Sequence, residues 1–241
     1  MRQPAARANW QADGGLGLSY TLHMSTETRD LIVDAAFRLA ADKPWPEITL
    51  AAIAENAGIS LADLARQVSG KPDILDAFAR RMDSELLASL TGDPVEGDAH
   101  DRLFDIMLRR FELLAPYKPA IANIAKAPAD GPVEWLSLLA SSLVTQGWML
   151  AAADIRLTGF RGDAARLGLA KIAADTMLVW LKDDDTGLAR TMAALDRKLR
   201  DGEAVMKRLE TPIALCSGFA RVFRSFREER TTKTQAHDTA D

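Results

Sequence analysis

Apolar residues recur at intervals of three and four along most of this chain, and nowhere do they alternate in the every-other-residue manner of a strand. From Thr28, the positions Leu31, Ile32, Ala35, Ala36 and Leu39 mark one face of a helix that Pro44 and Pro46 bring to an end, so the first helix closes by about Ala41. Thr49 offers a side-chain oxygen to a second helix in which Ile53 and Ala57 turn inward, and Gly58 stands where the chain must turn sharply with a positive φ. Ser60, with Asp63 three residues on, forms a capping box for a third helix. The three helices fill roughly residues 28 to 68, with the tight turn of a helix-turn-helix between the second and third.

The pattern continues into a larger helical body. Lys71-Pro72-Asp73 restarts helix with proline at its first position and acid in its first turn, and the stripe Ile74, Leu75, Phe78, Met82, Leu86 and Leu87 carries it to about Leu90. After the Gly/Pro/Asp break at 91 to 99, a helix carries Leu103 to Leu114, and a short one spans about Ala120 to Lys126. Two helices, at about Val133 to Asp154 and Gly162 to Lys182, are apolar on most of their circumference and call for burial on several sides. Asp183-Asp184-Asp185 then caps a last seam of Leu188, Met192, Leu195, Leu199 and Met206. The expected class is all-α. Residues 1 to 24, with glycines at 14, 15 and 17, read as a mobile arm. The head occupies 25 to 70, the body 71 to 210, an amphipathic C-terminal helix 211 to 230, and a tail the rest.

Composition narrows the chemistry. The chain has 241 residues, 48% of them hydrophobic, and a formal charge of −4 that excludes a globally basic nucleic-acid coat. One cysteine, Cys216, and three histidines rule out an intrachain disulfide and a Cys/His zinc cluster. Residues Met1 to Tyr20 lack a long apolar run, so neither a secretory signal nor a membrane span is expected, and the cytoplasm is the expected compartment. His23, His100 and His237 lie in or near segments read as flexible, and there is no Gly-rich phosphate loop and no GxSxG elbow. No catalytic set, metal or cofactor is expected. In the body, Phe111, Trp148, Met149, Met177 and Trp180 are the candidate lining of a cavity for a small apolar ligand. Near the C-terminus, Phe219, Val222, Phe223 and Phe226 share one helical face while Arg221, Arg224 and Arg227 follow at intervals of three. Such a helix suits an anionic membrane surface, or docking on its own body or a dimer mate.

These residues also carry two resemblances. Residues Arg29 to Leu75, with "LIVDAAFRLA", "ITLAAIAENAGIS" and "GKPDIL", resemble the N-terminal domain of the TetR-type transcriptional regulators. The resemblance implies an all-α homodimer paired through its last helices, with a small head on a double-stranded DNA operator and a ligand-sensing body. It makes Ser60 through Gln67 the recognition helix, with Leu61, Ala62 and Asp63 leading into the groove, Arg66, Gln67 and Lys71 near phosphates, and Thr49 and Ser60 among the DNA-side residues. The sequence departs from the family at Asp63, Ala65, Gln67 and Val68, where hydroxyl and ring side chains are usual. Between Met24 and Glu85 seven basic residues face eleven acidic ones, a local balance of −4 that is poor for holding phosphates. The run "MLVWLKDDDTGLARTMAALDRKL", 177 to 199, resembles the C-terminal motif of the COQ9 family of ubiquinone-biosynthesis proteins. That resemblance implies a lipid-binding accessory protein that does not bind DNA.

Overall fold

The computed structural model describes the backbone over residues 14–127 and 132–207, and the side chains over 27–127 and 138–207. The described residues form helices joined by turns, with no strand among them. The order is α1 (Gly14–Asp42), a 3-10 turn (Trp45–Glu47), α2 (Leu50–Ala57), α3 (Leu61–Gln67), α4 (Lys71–Gly92) and α5 (Ala99–Leu114). A second 3-10 turn (Ala115–Tyr117), α6 (Lys118–Lys126), α7 (Pro132–Ala152) and α8 (Gly159–Trp180) follow. A further helix, α9, covers 189–207. The backbone of α1 begins upstream of Thr28 and takes in part of the segment that the pattern reads as an arm. Glycine lowers helix propensity there without forbidding helix.

Contacts divide the chain into two compact units. The first comprises the residues up to Pro94 together with Arg109–Thr145, so the three-helix head, α4 and α6 belong to one unit. Its core is the inward stripe of α1 (Ile32, Val33, Ala36, Ala40) against Ile53, Leu64, Ile74 and Met82, each nearly or fully buried. Each of the Ile, Val, Leu and Met side chains among them contributes about 1.5–3 kcal/mol on burial. Helix α1 packs against α2, α4 and α6. Asn123 of α6 donates to the Ala40 and Ala41 carbonyls at 2.9 and 3.3 Å, satisfying carbonyls that the end of α1 leaves open. The Phe37 and Phe78 rings stack with centroids 3.9 Å apart, and Tyr117 meets both edge-on. Arg81 lies beside that cluster and donates to Asp34 at 2.8 Å and to the Tyr117 hydroxyl at 3.3 Å. Deeper in the unit, buried Asp83 of α4 pairs with Arg110 and accepts from Thr145 Oγ1 at 2.8 Å. One carboxylate thereby joins α4, α5 and α7.

The second unit comprises Val95–Leu108 and the chain from Gln146 onward. Leu103, Met149, Leu169, Trp180, Leu195 and Leu199 are buried in it. Gly162 is required where α8 begins, because a Cβ there would sit 2.7 Å from the Leu157 carbonyl oxygen. Arg102 donates to the Ala153 carbonyl at 3.0 Å and to the Gly97 carbonyl at 2.6 Å, covering backbone acceptors at the end of α7 and before α5. The acidic triplet caps α9. Asp183 accepts from Thr191 N at 2.9 Å and Thr191 Oγ1 at 2.7 Å, and Asp185 accepts from Ala189 N at 3.3 Å. The Thr191 hydroxyl is the main reason that the Asp183 carboxyl is held below its ordinary range.

Candidate functional site

Two capping side chains and one left-handed residue set the exposed turn of the head. Thr49 Oγ1 accepts from Ala52 N at 3.1 Å, which opens α2. Gly58, at φ 70°, closes α2 by returning its N–H to the carbonyls of Ala54 and Glu55. Ser60 Oγ accepts from Asp63 N at 3.0 Å and opens α3. Leu64 and Val68 turn one side of α3 into the core, which leaves Leu61, Ala62, Ala65 and Arg66 exposed on the other. Leu61 is 53% exposed, a large apolar side chain held at the first position of a helix. A helix presenting such a face has the dimensions of a major-groove reader, with aliphatic groups suited to thymine methyls.

Much of the charge around that face is already engaged. Arg66 pairs with Asp63, three residues earlier on the same helix. The Ser60 hydroxyl, 2.5 Å from the Asp63 carboxylate, is the main cause that holds this carboxyl below its usual range, with Arg66 adding to it. Arg29 donates to the Gln67 carbonyl at 2.9 Å. Lys71 Nζ donates to the Trp45 and Ile48 carbonyls at 2.8 and 3.3 Å and lies over the Trp45 ring, so it ties the start of α4 to the turn ahead of α2. Thr49 and Ser60 thus serve as caps, Leu61 and Ala62 form the open face, and Asp63 with Arg66 forms a surface pair.

The second unit holds a pocket of about 890 Å³. Leu103 of α5, Leu150 of α7, Leu157 of the following turn, Leu169 and Ile172 of α8, and Met206 of α9 supply its apolar wall. Charged side chains stand among them in mutual contact. Lys171 and Lys198 both donate to Asp175 at 2.9 Å, and these two hydrogen bonds hold that carboxyl below its ordinary range. His100 lies between two carboxylates of α9, Nε2 3.1 Å from Asp196 Oδ1 and Nδ1 3.2 Å from Glu203 Oε1. His100 sits in the first turn of α5, just after the 91–99 break, with its side chain largely buried. Its partners lie 96 and 103 residues away along the chain, beyond any local pattern.

The five side chains expected to line a ligand cavity do not line this pocket. Phe111 is buried in the first unit, Met149 and Trp180 are buried in the second, Met177 is half-buried, and Trp148 is 51% exposed. Phe219, Val222, Phe223 and Phe226 lie outside the described residues. Among the described residues no helix is long and apolar enough to cross a membrane.

No family model matches the chain, and no curated protein matches it. Solved structures do. A TetR transcriptional regulator from Nitrosomonas europaea ATCC 19718 superposes with a TM-score of 0.59 at 23% identity, over 73% of this chain and 97% of that one. A TetR transcriptional regulator from Rhodococcus sp. RHA1 superposes with a TM-score of 0.55 at 16% identity, over 75% of this chain and 96% of that one. These likenesses show the fold: the chain has the all-α architecture of TetR regulators. The resemblance of 177–199 to the COQ9 family is not shown by these comparisons. In the structure that run is the end of α8, the capping turn at Asp183 and the start of α9.

Proposed function

On this fold, we propose that the protein is a ligand-responsive DNA-binding transcriptional regulator that acts as a homodimer. The observation that carries the reading is the capped, outward face of α3, where Leu61, Ala62 and Ala65 stand exposed between buried Leu64 and Val68. Among the described residues that face stays exposed, and an aliphatic helix face fits base edges better than it fits water. Its weak electrostatics imply a reader that relies on groove contacts more than on phosphates, so affinity falls only shallowly with salt.

Dimer formation is supported by the second unit. Phe160, Leu167 and Leu178 of α8 are 68%, 52% and 57% exposed, and the first two lie seven residues apart on one side of the helix. Three exposed large apolar side chains on one helix are suited to a second copy, and a dimer would present two α3 helices to two half-sites.

The test is selection of duplexes from a randomised pool by the full chain, followed by anisotropy titration of the enriched duplex at two salt concentrations. The reading expects saturable binding to a pseudo-palindrome, with a salt slope that decreases by about one when Arg66 is replaced by Ala. Failure to enrich any sequence, with no binding at low salt, would overturn it.

A further inference from the structure

We propose that Asp63 and Arg66 together read one C·G base pair in each half-site of the operator; this rests on the regulator reading above and adds to it what the face of α3 selects. The two residues are three apart on one side of the helix and are paired with each other. Their side chains are 42% and 69% exposed, so the pair belongs to the outer surface of the head. Ala62 and Ala65, exposed on the same helix, are too short to keep a base edge away from it.

Buttressing separates this pair from an ordinary surface ion pair. Ser60 Oγ accepts from Asp63 N at 3.0 Å and donates to Asp63 Oδ2 at 2.5 Å, which ties the carboxylate to the first turn of α3. The other oxygen, Oδ1, accepts from Arg66 Nη2. Ser60 thus fixes Asp63 and Asp63 fixes Arg66 before a duplex arrives, so less side-chain entropy is lost on binding. Both groups keep bonding capacity: each carboxylate oxygen has a second lone pair, and the guanidinium has its remaining N–H groups. An acceptor therefore stands beside a forked donor. A C·G pair offers the complement in the major groove, the cytosine N4 amino donor beside the guanine O6 and N7 acceptors. Reversal to G·C sets the carboxylate against acceptors. A T·A pair mismatches both groups, with thymine O4 against the carboxylate and the adenine N6 donor against the guanidinium, and an A·T pair has that donor between its two acceptors. A guanidinium in the groove still places a cation among the phosphates, so the lower salt slope expected for Arg66→Ala stands.

The experiment uses the full chain and a randomised duplex pool. The duplex enriched by the parent is titrated beside versions in which the repeated C·G pair is changed to G·C or to T·A, for the parent, Asp63→Asn and Arg66→Lys. The parent is expected to enrich a C·G pair at one position repeated in both half-sites, and to bind each changed duplex about tenfold more weakly. Asp63→Asn relieves repulsion on every duplex and gains most where the carboxylate faced an acceptor, so its preference is expected to shrink to about twofold. Arg66→Lys keeps the charge but not the fork, and is expected to lose the preference to the same extent, about twofold remaining. A pair that only staples α3 would change affinity for all these duplexes alike. The proposal is overturned by an enriched duplex with no repeated C·G pair, or by either variant keeping the parent's preference. In both cases the regulator reading stands, whereas enrichment of no duplex by the parent overturns that reading and this one together.

Discussion

Gly58 illustrates how a single backbone angle holds the head together. Its φ of 70° lies in the left-handed region, and a Cβ added there would meet nothing within 4 Å, so the cost of Gly58→Ala is conformational alone. We expect about 1 kcal/mol lost in urea denaturation, with Gly58→Asn losing less because asparagine tolerates this region. Thr49→Ala removes the oxygen that accepts from Ala52 N and should cost a further ~1 kcal/mol. Asp183 gives a pH prediction. Its folded-state pKa is lowered below the ordinary 3.8, chiefly by the Thr191 hydroxyl, so its contribution is present above that value and lost as pH falls through the lower folded value. The urea midpoint should therefore drop below about pH 4, and Asp183→Asn should flatten that part of the profile. A midpoint as steep in the variant as in the parent would show that other carboxylates set the acid limb. At this scale much was legible in the sequence. Thr49, Gly58, Ser60 and the acidic triplet act on neighbours two to eight residues away, and residue type announces such roles. Lys71 was not legible, because its acceptors, the Trp45 and Ile48 carbonyls, are brought to it only by the fold.

Between elements, periodicity reveals helices but not which side chains meet. The helices of the head and α4 follow the three-and-four spacing closely, because a buried stripe is a property of each helix by itself, whereas α7 and α8, apolar on most of their circumference, leave Val144, Trp148, Leu167 and Leu178 exposed. The Asp83, Arg110 and Thr145 cluster has no such signature, with 27 and 62 residues separating Asp83 from its partners. It predicts a large effect at a position that the pattern treats as ordinary helix surface. Asp83→Ala leaves Arg110 and Thr145 without that carboxylate and should cost about 2–4 kcal/mol in chemical denaturation. Asp83→Asn retains an acceptor for Thr145 and should cost less. Equal losses for the two would mean that the ion pair carries the whole effect, and no loss in Asp83→Asn would mean that the ion pair contributes nothing. The pocket escaped the sequence for a related reason. The hydrophobic pattern marks large residues such as Trp148 and Met177, whereas the open volume lies where Ala164, Ala165, Gly168 and Gly202 leave space, and an absent side chain has no hydrophobic signal.

For the molecule as a whole, the fold is that of TetR regulators, and fold by itself does not fix function. The exposed Phe160, Leu167 and Leu178 of α8 make the assembly testable: light scattering should give twice 26.3 kDa for the parent, and Leu167→Glu should shift the protein to the monomer. A parent that remains monomeric at micromolar concentration would contradict the dimer. The local balance of −4 between Met24 and Glu85 and the Asp63–Arg66 pair set this chain apart from a reader that depends on phosphates. Removing the acid should accordingly tighten the complex, so Asp63→Asn is expected to raise duplex affinity several-fold. The most direct measurement is anisotropy titration of the purified dimer onto its selected duplex at two salt concentrations, for the parent, Asp63→Asn and Arg66→Ala. The account predicts saturable binding that weakens shallowly with salt, tighter for Asp63→Asn and weaker for Arg66→Ala; no saturable binding at either salt concentration would contradict it.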